Sequence, residues 1–135
     1  MIGVIIVSHG DIAQEMLLTT QFIMNKADNM YAISVDPSKS VDNLRKEILE
    51  TIKKADQGDG VLILTDMFGG TPSNVGLSFL EENKVEVITG VNLPILLKLC
   101  THREGWKLGE LAEFVKNYGQ KNISIASEIL KLNRK

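Results

Sequence analysis

Residues 2–7, IGVIIV, and residues 61–65, VLILT, are uninterrupted apolar runs rich in β-branched side chains. A strand with no polar face has to be buried on both faces, and such strands usually lie in the middle of a parallel sheet. The segments around these runs supply the helices that would cover it. Asp11 can cap a helix on which Ile12, Met16 and Ile23, with Ala13, Leu17 and Met24, recur at near-helical spacing. MYAISV, residues 30–35, reads as a second strand, and DPSKS as a turn that ends on Ser40 as N-cap of the next helix. Val41, Leu44, Ile48 and Ile52 form the apolar stripe of that helix. DQGDG breaks the chain before VLILT; after MFGG, Thr71 reads as an N-cap with Pro72 at the first helical position and Ser73 and Asn74 in the first turn. VEVITG is a fourth strand, followed by helices over 94–103 and 107–118, the second with Leu108, Leu111, Ala112 and Val115 on one face. In NISIAS, Ile123 and Ile125 alternate with polar neighbours, the pattern of an edge or half-exposed strand over about 121–127, before a solvated tail, 128–135. The alternation predicts an α/β fold with a parallel sheet between helices, right-handed crossovers, and ligands beyond the carboxyl ends of the strands.

With 135 residues, 44% of them hydrophobic, the chain reads as one domain, 1–135, with room for one core. The net charge is −2 and the basic residues are scattered, so no footprint for nucleic acid or an anionic membrane is present. Cys100, in PILLKLC, has no partner for an internal disulfide and reads as a small packed hydrophobe. MIGVIIVSHG lacks a basic leader region and a cleavage site, and no apolar run approaches the roughly 20 residues that span a bilayer, which points to the cytoplasm. The phosphate-cradling G-x-x-x-x-G-K-[ST], the dinucleotide G-x-G-x-x-G and the hydrolase G-x-S-x-G are absent. His102, in THREG, reads as part of a solvated helix end, and no Cys and His spacing suggests zinc, so neither metal nor organic cofactor is expected. A receiver domain with Asp66 as phosphate acceptor would need an acidic pair after the first strand, where SHG stands instead.

Two unusual segments fall at the predicted carboxyl ends: SHGD, 8–11, and TDMFGGTPSN, 65–74. His9 fits a packed strand-end histidine, and equally a nucleophile toward phosphorus if one ring nitrogen is held and the other left free. Asp66 is the carboxylate placed to hold it, or else a turn-starting residue. Gly10 allows close backbone approach at a helix start, and Gly69, Gly70, Thr71 and Ser73 read either as an anion nest or as a tight turn with a capped helix. Asp11, whose charge would repel phosphate, is structural.

GVIIVSHG, VLILTDMFGGTPSN and VITGVNLP, in that order, resemble the enzyme IIA component of the mannose family of the bacterial phosphoenolpyruvate-dependent sugar phosphotransferase system. The likeness runs along nearly the whole chain. It implies a phosphotransferase in which the phosphocarrier HPr donates a phosphoryl group to His9 at Nε2, Asp66 holds Nδ1, and the group passes on to a histidine of a IIB component. It also implies a homodimer whose sheet has strand order 2-1-3-4 plus a fifth, antiparallel strand, NISIAS, exchanged between subunits. Thr71 stands where the family often has serine, which keeps the hydroxyl, and Met67 offers only backbone to a phosphate. Some relatives carry a fused IIB domain; this chain ends at KLNRK, so the acceptor is expected to be a separate protein and membrane association to be indirect, through the transporter. Related branches donate to a dihydroxyacetone kinase or act as regulatory modules. TDMFGGTPSN favours the sugar-transport branch.

Overall fold

The computed structural model describes residues 1–133. The elements run β1 (Gly3–His9), α1 (Ile12–Met24), β2 (Met30–Val35), α2 (Val41–Ala55), β3 (Val61–Thr65), α3 (Thr71–Leu77), β4 (Val85–Thr89), α4 (Leu93–Thr101), α5 (Leu108–Lys121) and α6 (Ala126–Asn133). The four strands form one parallel sheet in the order β2-β1-β3-β4. The two continuous apolar runs are its central strands, as their lack of a polar face requires.

Successive side chains of these strands serve two separate cores. Ile2, Val4 and Ile6, with Leu62 and Leu64, pack beneath α1, α4 and α5, where Leu96, Leu99 and Leu111 are fully buried. Ile5 and Val7, with Val61 and Ile63, pack on the opposite face against Leu44, Ile48 and Ile52 of α2 and Val75 of α3. Because β1 and β3 are adjacent, with Val7 paired to Thr65, the turns that follow them open side by side at the same edge of the sheet.

Several local expectations are corrected. Asp11 makes no side-chain cap: its backbone, at φ −92° and ψ 7°, is outside the extended region of a capping residue. The Oγ of buried Ser8 takes that role, accepting the Ala13 N–H at 2.7 Å. Gly70, rather than Thr71, is the N-cap of α3; Thr71 begins the helix and Pro72 follows in its first turn. Ser40 does cap α2, accepting the Asn43 N–H at 3.0 Å, while Val41 stays exposed beside the buried stripe. THREG is not wholly solvated: Arg103 is 3% exposed. Its guanidinium donates to the carbonyl oxygens of Leu99 at 2.8 Å, Ile2 at 2.9 Å and Asn29 at 3.3 Å, and to that of Asp28, tying the end of α4 to the start of the sheet. Cys100 packs at the margin of the first core, 3.8 Å from the Met30 sulfur, and burial raises its thiol pKa.

The largest correction concerns the chain after α5. Residues 123–125 form no strand, and the helix α6 occupies 126–133, which was expected as strand end and tail. A strand needs a neighbouring backbone to pair with, and within one chain Ile123 and Ile125 lie 79% and 63% exposed. ASEILKLN, rich in residues that favour helix, then follows its local preference.

Candidate active site

β1 ends at His9 because Gly10 turns the chain with φ +53°, a conformation that favours glycine. The Gly10 N–H donates to the carbonyl of Val35 at 2.8 Å, so that amide anchors the turn to β2. Ser8, one residue earlier, is fully buried, and its hydroxyl donates to the His9 carbonyl at 3.2 Å while capping α1. His9 thus leaves a braced backbone with its ring toward solvent, 47% of the side chain exposed.

Asp66 follows β3 directly and is 12% exposed. Its Oδ2 accepts both the His9 backbone N–H, at 3.0 Å, and the Nδ1–H of the His9 ring, at 2.8 Å. Its Oδ1 accepts the Met67 N–H at 3.0 Å. Burial alone would raise the pKa of this carboxyl, but the ring and backbone hydrogen bonds from His9, the charge that ring carries when protonated and the Met67 amide together hold it below the usual carboxylate value. An ionised carboxylate only accepts hydrogen bonds, so in the neutral form of the imidazole the ring proton sits on Nδ1 and the lone pair on Nε2.

The second turn lies against that free edge. Gly69 has φ +95°, and its N–H donates to the Ser73 Oγ at 3.3 Å. Ser73 is fully buried, so its hydroxyl shapes the loop rather than facing solvent. Gly70 sits beside the His9 ring, and Thr71 is exposed at the first position of α3. The fold therefore brings His9, Asp66, Gly69, Gly70 and Thr71 to one place, with Gly10 and Ser73 as supports. His102 is elsewhere, at the end of α4, its Nδ1 2.7 Å from the Thr101 hydroxyl.

Sequence reasoning missed Ser8 and Arg103. A lone small polar residue inside an apolar run just before a helix start was the available sign of Ser8; nothing in a charged THREG marked Arg103 as buried.

Residues 3–116 match the family model described as "PTS system fructose IIA component". The fructose-specific EIIA component of the phosphotransferase system of Bacillus subtilis is 33% identical over 131 residues, which cover 96% of this chain and 90% of that protein. The mannose-specific EIIAB component of Escherichia coli K12 is 30% identical over 104 residues, 76% of this chain and 32% of that longer protein. The crystal structure of the EIIA component from Streptococcus agalactiae superposes with a TM-score of 0.86 at 25% identity, covering 95% of this chain and 99% of that one.

Proposed function

Because the chain belongs to the family of phosphotransferase-system IIA components, in its mannose branch, we propose that it carries a phosphoryl group on His9 Nε2 from HPr to a IIB component. The observation that carries this reading is the pair of hydrogen bonds from one residue to Asp66 Oδ2, at 2.8 Å from the ring and 3.0 Å from the backbone, which fix the ring with Nε2 outward.

In the first transfer the Nε2 lone pair forms a bond to phosphorus as the bond from phosphorus to the donor's histidine nitrogen breaks and its electron pair returns to that nitrogen. The His9 ring gains positive charge, which the Asp66 carboxylate stabilises through Nδ1–H without accepting the proton. The second transfer is the same exchange, with His9 as leaving group. The turn at Gly69, Gly70 and Thr71 offers backbone and one exposed hydroxyl to the phosphoryl oxygens. Neither step requires a metal or an organic cofactor, and both partners place the work in the cytoplasm. We extend the proposal to a homodimer in which residues 121–127 pair with the partner's β4, whose far side carries no parallel neighbour among the described residues.

Intact mass after incubation with phosphoenolpyruvate, enzyme I and HPr tests the relay. One acid-labile phosphoryl group on the protein and none on the His9→Ala variant is the expected result. Label that survives in the variant, or no label with demonstrably active HPr, overturns it.

A further inference from the structure

Gly69 and Gly70 are adjacent, but glycine is needed at the two positions for different reasons. At Gly69 the backbone has φ +95°, and an added Cβ would meet nothing within 4 Å. At Gly70 the backbone is extended, with φ −97° and ψ 175°, a conformation open to any residue. There an added Cβ would lie 2.5 Å from His9 Cε1 and 2.8 Å from His9 Nε2. The next nearest atom is Pro72 Cδ at 3.6 Å, so the other ring atoms are no closer than that. A carbon near two ring atoms and no closer than 3.6 Å to the rest lies beyond the Cε1–Nε2 edge, on the Cε1 side, and not over the ring's face. A phosphorus bonded to Nε2 would lie beside that carbon, closer than van der Waals contact allows.

We infer that Gly70 is a positioning residue whose missing side chain keeps the Nε2 edge of His9 open to a tetrahedral phosphoryl group. The inference rests on the phosphoryl-carrier reading and adds the residue that makes Nε2 reachable. A methyl at position 70 forces one of two losses. If the ring stays on Asp66, the methyl occupies space that the phosphorus and its oxygens require. If the ring swings clear, the 2.8 Å bond from Nδ1 to Asp66 is given up, and with it the fixed proton position.

Phosphoramidate, a small donor that needs no protein partner, separates access to Nε2 from partner docking. In that reaction Nε2 forms its bond to phosphorus while the phosphorus–nitrogen bond of the donor breaks and ammonia leaves with its proton. Gly70→Ala should be labelled more slowly than wild type by about tenfold or more, the usual cost of overpacking expressed as a rate, with both phosphoramidate and phosphorylated HPr. Equal labelling of the two proteins by both donors overturns the inference and leaves the relay intact. Failure of wild type with HPr alone overturns the relay, while phosphoramidate still compares the variants. A thermal cycle covers the case of a poorly folded variant. Gly70→Ala should lower the melting temperature clearly more when His9 is present than in the His9→Ala background, where only the poorer N-cap of alanine remains; an equal loss in both backgrounds means the clash is not with the ring, and overturns the inference.

Discussion

Asp66 holds two donors of the same residue on one oxygen, the ring and the backbone N–H of His9, so it fixes where the imidazole starts as well as which way it faces. Asp66→Asn keeps an acceptor there but removes the charge. Transfer from HPr is expected to slow on the order of 10–100-fold, the range that carboxylates orienting metal-ligating histidines show when removed. Wild-type rates in a stopped assay would take Asp66 out of the mechanism. The same residue links stability to pH. Its carboxyl pKa is lowered on folding, so its contribution is present above the unfolded value of about 3.9 and is lost as pH falls through the folded value. The stability gap between wild type and Asp66→Asn should therefore close below about pH 4 in thermal melts run from neutral to acid. A gap that stays constant through that range would contradict the linkage. Both glycines of the second turn were legible as glycines, but only the position of the ring distinguishes the one required by its backbone from the one required by its neighbour.

At the scale of elements, the helix cap was legible at Ser40, placed one residue late at Thr71, and misread where the cap comes from within a strand. Ser8 belongs to β1, yet its Oγ closes the first turn of α1, so strand end and helix start share one side chain. Ser8→Ala leaves the Ala13 N–H without that partner and is expected to cost about 1 kcal/mol of unfolding free energy, in the range of lost N-caps. Faster hydrogen exchange at the Ala13 amide should accompany it. Unchanged stability and exchange would remove Ser8 from the cap. The far end of the molecule shows the opposite kind of miss. Arg103 is buried because four backbone carbonyls, from three separate segments, converge on its guanidinium, and segments that meet only in three dimensions leave no local pattern.

For the molecule as a whole, the question is what covers the open side of β4. Among the described residues that strand pairs in parallel only with β3, and a groove beside it is lined by Val87, Ile88 and Thr89 together with Ala112 and Lys116 of α5. An open edge of this kind invites another strand. The exposed Ile123 and Ile125 carry the alternation such a strand needs, although α6 begins only at Ala126, so an exchange reaching residue 127 would unwind its first turn. Light scattering is expected to give a dimer for the full chain and a monomer, or an aggregating species, for a chain cut after Asn122. A full-length monomer, or a dimer that survives the cut, would rule out the exchange. Among the described residues no helix is long and apolar enough to cross a membrane.

The sequence by itself determined the helix-covered sheet, because strands apolar on both faces tolerate only a buried position, and it put His9 and Asp66 each at the end of such a strand. Those are consequences of periodicity, which any stretch of chain carries within itself. The tertiary structure alone decided that a glycine borders Nε2, that Ser8 caps the helix beyond its strand, and that Arg103 is drawn inside. It also left residues 123–125 unpaired and made 126–133 helical, because a strand exists only where a second backbone answers it.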